Sequence, residues 1–477
     1  DLVGKSGLAL DLPAMTATDN TFQPTGCILE AQQLAAEVFG AGQTFFLSAG
    51  STLGVAAALL AAVPQGNTVA LPRNIHRSVV AGLVLSGALP RFLQHDVLPE
   101  CGALGVSPST LAAALDADPR PAAVLLTRPS YYGVARDLGE IVRICHARCV
   151  PLIIDEAHGA HLHFLPVGAA SRAAPEAAIG PPRLGGPTYP QSALAAGADL
   201  VVQSSHKTLG SLLGSAMLHV GRESWVDAAR VQDALNFLQT TSPSFLLLAS
   251  LDVMRRWMWK EGKSLFAAAV DEAHRIENEI EALPGMKALR PERDPRMAGH
   301  QRDPLRLVVN VRGTGWNGYE VERFLRTEFQ VEDEMADWFN VVYVLSPRDD
   351  AEATERLIAG LRAVSNTPKP GSGRAHRAAG PRLAEEVESA HLLQPPIPPL
   401  AMPPRRAGLA KKTVVALASA TGRTCAEMVM FYPPGIPLLM PGEMVTNETI
   451  DVCRQLLAAG AHPYASDATL ETIRVVE

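Results

Sequence analysis

Val201-Val202-Gln203-Ser204-Ser205-His206-Lys207-Thr208-Leu209-Gly210 is the stretch from which the fold is read. Leu200 to Gln203 has the apolar, β-branched composition of a buried strand, and a Ser/Gly-rich loop follows it, carrying a lysine. Upstream, Ile153-Ile154-Asp155-Glu156-Ala157-His158 repeats the pattern, with the strand ending in a carboxylate. Working outward, strands are predicted at Thr44–Leu47, Thr68–Leu71, Ala122–Leu126, Val150–Ile154 and Leu200–Gln203. Helices are predicted between them, through Ala62, over Arg73–Leu85 and over Leu138–Cys149. Strand–helix alternation with near-continuous apolar strands predicts an α/β fold whose mostly parallel sheet is covered on both faces.

Residues 1–300 form the predicted large domain, interrupted between Gly168 and Pro190 by an Ala/Pro/Gly-rich inserted surface loop. Ser264–Leu283 has helical period and reads as the exit from it. A small α+β domain follows over 301–365, with a strand at Leu305–Val309, helices at Tyr319–Phe329 and Ala351–Val364, and the strand Val341–Leu345 between them. Residues 366–398 read as a Pro/Gly-rich linker and 399–477 as a final unit.

The 477 residues allow two to four domains. A net charge of −7 disfavours non-specific nucleic-acid binding, so no nucleic-acid partner is expected. No apolar run approaches the roughly 20 residues that cross a bilayer, so no membrane partner is expected and the chain reads as soluble. Six cysteines, Cys27, Cys101, Cys145, Cys149, Cys425 and Cys453, are too few to staple a chain this size and read as reduced, mostly buried thiols of an intracellular compartment. The first residue is Asp1 rather than Met, so an organellar transit peptide could have preceded it; the cytoplasm and an organelle, a plastid included, both stay open.

Four segments carry the chemistry. In Ser48-Ala49-Gly50-Ser51-Thr52-Leu53-Gly54, a glycine after a strand permits a tight turn, and Ser51 and Thr52 open a helix whose amides and hydroxyls could cradle a phosphate. Taken alone, the simpler reading of an ordinary N-cap prevails there. Asp155, at the carboxyl end of a buried strand, sits on the rim where α/β folds bind ligands. Facing a pyridinium nitrogen it would keep that nitrogen protonated, and facing nothing it would be a cap or an ion pair. Lys207 follows Ser204, Ser205 and His206, which could donate to a phosphate, and stands where a lysine must sit to hold an aldehyde cofactor. An aspartate and a lysine at two strand ends are the minimal chemistry for pyridoxal phosphate. His76, in Arg73-Asn74-Ile75-His76-Arg77-Ser78, could stack on a planar ring, and Tyr131 and Tyr132 could wall a pocket or simply pack. A rival reading takes Asp155, Glu156, His158, His161 and His163 as metal ligands. That spacing is not a recognised one and no fourth ligand is pinned, so no metal is expected. Cys145 and Cys149, four apart on an apolar-faced helix, read as core residues.

Together these segments resemble the Orn/Lys/Arg decarboxylase family, major domain plus C-terminal domain, a fold-type I (aspartate aminotransferase-like) group dependent on pyridoxal 5'-phosphate. The matching motifs are Thr44–Gly54 (TFFLSAGSTLG), Arg73–Ser78 (RNIHRS), Thr127–Gly133 (TRPSYYG), Asp155–His161 (DEAHGAH), Ser204–Leu209 (SSHKTL), Gln239–Leu251 (QTTSPSFLLLASL) and Gly422–Glu443 (GRTCAEMVMFYPPGIPLLMPGE). They run in family order from about residue 18 to the end. The resemblance implies that Lys207 forms the Schiff base, that Asp155 pairs with the pyridine nitrogen and that His76 stacks over the ring. It places Ser51, Thr52, Ser204 and His206 around the phosphate and Ala157 and His158 close to the ring. Ser242 resembles a contact supplied by a neighbouring subunit, which implies a homo-oligomer of at least two chains. Glu443 and Glu427 are the acids that could meet a substrate's distal cation. The implied activity is decarboxylation of arginine, lysine or ornithine, a step in polyamine biosynthesis.

Several positions depart from the family pattern. Arg77 stands for the usual lysine, Leu213-Gly214 for a frequent Thr-Gln, and Arg405-Arg406 for an Arg-Glu pair. The insertion separates Asp155 from Lys207 by 207 − 155 = 52 positions. Two alternatives therefore stay open: a decarboxylase-like subunit kept for assembly, and an aminotransferase on the same fold with Arg312 for the α-carboxylate.

Overall fold

Seven apolar runs become the strands of one sheet: β1 (Gln43–Leu47), β2 (Thr68–Pro72), β3 (Leu89–Leu93), β4 (Ala123–Thr127), β5 (Leu152–Asp155), β6 (Leu200–Gln203) and β7 (Ala216–Val220). Their order is β1-β7-β6-β5-β4-β2-β3. Neighbours from β3 to β6 pair in parallel, and β7 is antiparallel to β6 and to β1. Strands β5, β6 and β7 are buried at every position, which is why their sequences are apolar without alternation. The structure, a computed structural model, describes residues 4–9, 11–98, 102–166, 189–290, 297, 299–367, 396–431 and 435–477. Nearly all of the 168–190 insertion and the 366–398 linker lies outside the described residues.

Helix α1 (Cys27–Phe39) precedes β1, and α2 (Gly50–Ala62) follows it. The Ala-rich α2 is buried on almost every side. It approaches the sheet so closely that a Cβ on Gly54 would come within 2.8 Å of Leu47 Cδ1 and of Val202 Cγ1. Helix α3 (Arg77–Ser86) starts four residues later than the expected Arg73. The reason is His76, which stays in extended backbone and caps the helix by accepting from Ser78 N. Helix α4 (Gly139–His146) also ends short of the expected Cys149, which takes a left-handed φ of 55°. That corrects the paired-core reading: Cys145 is buried and Cys149 is exposed. The predicted Ser264–Leu283 helix is the second half of one 37-residue helix, α5 (Phe245–Glu281).

The chain divides into two compact units. One contains residues 1–94, 106–129 and 136–266; the other contains 95–105, 130–135 and 267–477. Residue 300, the expected boundary, falls inside the second unit, and Ser130–Ala135 belongs there too. Tyr131 and Tyr132 pack in a cluster with Val308, Met335 and Val342, and Tyr132 Oη donates to Asp337 Oδ2 at 2.6 Å. The second unit holds two further cores. In one, a four-stranded antiparallel sheet built on Arg306–Asn310 and Asn340–Val344 packs with helices Gly318–Phe329 and Ala351–Asn366 through Val309, Val321, Leu325, Val341 and Leu361. In the other, Cys425, Val429, Leu439, Ile450, Cys453 and Ile473 come together from short strands and the helix Asn447–Ala459.

The contact of α2 with the sheet gives a direct test of this packing. Gly54→Val forces side chain into space already held by Leu47 and Val202, so it should destabilise the protein by about 1–3 kcal/mol. An unchanged denaturant midpoint would contradict it.

Candidate active site

All strands of the sheet but β7 run one way, so their carboxyl ends lie on the same edge, and the loops leaving that edge converge. Four such ends carry the candidate residues. The loop after β1 leads to Ser51, the loop after β2 to His76, β5 ends in Asp155, and β6 runs into Ser204, His206 and Lys207.

At one end of this edge, Ser204 Oγ donates to Ser51 Oγ at 2.8 Å, across a gap of 153 positions in sequence. Ser204 is fully buried. Gly50 opens α2 with a φ of 72° and donates its amide to Gly214 O at 2.7 Å. The N-cap position is Ala49, and no side chain caps the helix. The expected phosphate cradle thus has what an ordinary N-cap lacks: first-turn amides with no side-chain acceptor, beside two hydroxyls. Thr52 is exposed at the same turn. His206 Nδ1 donates to Ser215 O at 2.6 Å, and burial pushes its pKa down despite that bond.

Next along the edge stand the lysine and the carboxylate. Lys207 Nζ lies 2.7 Å from Nε2 of His158, a buried residue. Asp155 is also buried, and its Oδ1 accepts from Ala157 N at 3.2 Å. Burial pushes the Asp155 pKa up, while the Ala157 amide and the Lys207 charge pull it down. A cationic ring N–H facing it would offset the same burial cost. His76 is held down at about 4, first by burial and then by the charges of Lys207 and Arg77, so it is a neutral ring at pH 7. An amine beside an imidazole, a buried carboxylate, a neutral aromatic ring and an uncapped helix start are the donor set that a phosphorylated pyridine aldehyde requires.

The remaining candidates stand elsewhere. Ser242 is exposed in the loop ahead of α5, its amide donating to Thr240 Oγ1. Glu443 and Glu427 belong to the second unit. Glu443 is buried and accepts from Met440 N at 2.8 Å; Glu427 accepts from Ser466 N and Arg474 N. Arg312 places its guanidinium 4.3 Å over the Phe339 ring. The acids and histidines between 155 and 163 disperse. Glu156 bonds to Gln203 and Ala193, and His161 stacks on Phe266. Among the described residues no group of three His, Cys, Asp or Glu is placed to hold a metal ion. Sequence reading offers Glu156 only as a metal ligand and passes over Gln203, although an acid directly after an apolar strand has to find buried partners.

The sheet order and this edge define a fold-type I α/β protein. The chain belongs to the Orn/Lys/Arg decarboxylase family: the family's major domain matches residues 1–353 and its C-terminal domain residues 392–462. An arginine decarboxylase of Halalkalibacterium halodurans is 35% identical over 477 residues, covering 100% of this chain and 90% of that protein. One from Bacillus subtilis is 35% identical over 480 residues, with the same coverage. A lysine decarboxylase of Francisella novicida shares the fold, with a TM-score of 0.78 at 18% identity over 98% of this chain and 74% of its own. All three are bacterial, which lends no support to the plastid alternative. Among the described residues no helix is long and apolar enough to cross a membrane.

The depressed His76 pKa has a sign that can be checked. Its folded value, about 4, lies below the ordinary 6.5 of an unfolded histidine. The folded state thus binds fewer protons between those values. The contribution is fully present above about pH 6.5 and is lost as pH falls toward 4. Denaturant midpoints of the cofactor-free protein should fall over that window, and His76→Asn, which keeps a cap acceptor, should fall less. Equal slopes for both proteins would contradict the assignment.

Proposed function

We propose that this protein decarboxylates a basic L-amino acid, arginine, lysine or ornithine, to the amine and carbon dioxide, using pyridoxal 5'-phosphate. The observation that carries the reading is the convergence of Lys207, Asp155, His76 and the Ser51–Ser204 pair on one sheet edge, in a chain of this family. When bound, pyridoxal phosphate supplies an aldehyde that condenses with amines and a conjugated ring that accepts the electron pair left when a bond to Cα breaks.

The chain's own residues would do the rest. Lys207 is the amine that would carry the aldehyde carbon. Asp155 would hold a proton at the ring nitrogen, which raises the ring's capacity to accept electrons. His76, neutral, would cover one face. Ser51, Thr52, Ser204, His206 and the first-turn amides of α2 would bind the phosphate, and Ala157 presents only a methyl group where the ring must approach. Lys207 and His158, 2.7 Å apart, can pass a proton between them and deliver one to the substrate's Cα. A basic side chain calls for a carboxylate, and the family resemblance offers Glu443 and Glu427 for that charge-assisted bond. Ser242 is proposed to meet a neighbouring copy, so that the enzyme works as a homo-oligomer.

Purified protein given pyridoxal phosphate should show an absorbance band near the visible edge and should release carbon dioxide from at least one of the three amino acids. Lys207→Ala should lose both, and Asp155→Ala should lower turnover by at least about a hundredfold. A keto acid in place of carbon dioxide would instead favour the aminotransferase reading. A colourless protein that releases neither would return the assembly role.

A further inference from the structure

A line of polar side chains crosses the sheet on the face opposite Asp155, and no step above uses it. Successive strand residues point to opposite faces, so Glu156 turns away from the site as Asp155 turns toward it. Glu156 is fully buried. Its Oε1 accepts from Ala193 N at 2.8 Å, with Arg128 Nη1 at 3.5 Å, and its Oε2 accepts from Gln203 Nε2 at 2.8 Å. Gln203 Oε1 lies 3.1 Å from His219 Nε2, and His219 Nδ1 lies 2.8 Å from Thr44 Oγ1. Gln203 and His219 are fully buried and Thr44 nearly so. The ladder agrees: Thr44 pairs with His219 and Gln203 with Met217, which puts Thr44, His219 and Gln203 on one face, whereas Asp155 pairs with Val202 on the other. The line therefore runs from Arg128, just past β4, through the ends of β5 and β6 and across β7 to β1.

Its direction is fixed by chemistry. Ionised, above its pKa of about 7, Glu156 only accepts, so Gln203 then turns its NH2 toward Glu156 and its carbonyl toward His219. His219 must then present Nε2–H to that carbonyl. Its burial holds the pKa down at about 3, so the ring is neutral and Nδ1 carries no proton. Nδ1 accepts, and Thr44 donates. The line thus has a single polarity, set at Glu156.

The groups it ties together are those that carry the site. Asp155 is one residue before Glu156, Ser204 is one after Gln203 with Lys207 three further, and Thr44 lies in the strand that leads to Ser51. We propose that Glu156 is a positioning residue. By fixing the direction of this hydrogen-bond line it sets the spacing of the strand ends that present Asp155, Ser204–Lys207 and Ser51 to the cofactor. The inference rests on the cofactor reading of that edge.

Exchanging the two polar residues tests it. Glu156→Gln alone removes the fixed acceptor, because an amide can turn its NH2 to Gln203 and let the line reverse, and Gln203→Glu alone places two carboxylates face to face. Together they restore a line with one fixed acceptor, now at position 203. The amide then at position 156 keeps its carbonyl for Ala193 N, and the carboxylate then at position 203 keeps one oxygen for His219 Nε2–H. Pyridoxal phosphate affinity and the pH midpoint of the bound cofactor's absorbance are measured for wild type, both single variants and the double, and melting of the cofactor-free proteins is followed in parallel. Each single variant should bind the cofactor at least tenfold more weakly, with a displaced midpoint, and the double should return to within threefold of wild type. Wild-type affinity and midpoint in Glu156→Gln would overturn the proposal, as would a folded double variant no better than the singles. Should the singles fail to fold, a double that folds and binds supports the line, and one that does not fold overturns it. A wild-type protein that takes up no cofactor would contradict the reading of the site itself, and the positioning role with it.

Discussion

The hydrogen bond from Ser204 Oγ to Ser51 Oγ joins the ends of two strands that are not neighbours. Strands β1 and β6 are separated by β7, so their axes stand about 10 Å apart, two strand spacings. What lets the loops meet is the direction of β7. Being antiparallel, it begins at the edge where β1 and β6 end, and the residues leading into it tie both loops. Gly214 O accepts from Gly50 N, while Ser215 O accepts from His206 Nδ1 and from Ser205 Oγ. Gly214 takes a left-handed φ of 94°, which a side chain would strain. The Leu213-Gly214 departure from the family pattern is thus part of the hub that ties the Ser51 and His206 loops together.

Electrostatics at this edge follows from burial. Taking Asp155 out of water raises its pKa, and taking His76 out of water lowers its own. The first is ready for a cationic partner and the second stays an uncharged ring. Glu156, one residue on, is lifted to about 7 by the same cause and is restrained by Arg128, Gln203 and the Ala193 amide. The two adjacent carboxyl groups face opposite sides of the sheet, Asp155 on the side of Val202 and Glu156 on the side of Gln203.

Much of this is legible in the sequence. Apolar strands at 68–71 and 200–203 and the helix to Ala62 follow from composition and period, because buried parallel strands leave little room for other residue types. Asp155 and Lys207 are identifiable because a strand end is a position that sequence can mark. The start of α3 escapes sequence reading because His76, a weak capping type, caps it, and the end of α4 because Cys149 adopts a backbone that cysteine rarely does. Glu156 enters the sequence reading only within the rejected metal-site alternative, since partners such as Gln203, 47 positions away, become visible only with the strand order in hand. Tyr131 and Tyr132 read as pocket walls or packing; the fold decides for packing.

The claim on which the whole account depends is that Lys207 is the amine poised to take the cofactor's aldehyde. Borohydride reduction of the cofactor-loaded protein, followed by proteolysis and mass spectrometry of the peptides, tests it at the level of a single atom. The account predicts one phosphopyridoxyl group per chain, on the ε-nitrogen of Lys207. A modification on another lysine, or none on any, would contradict it.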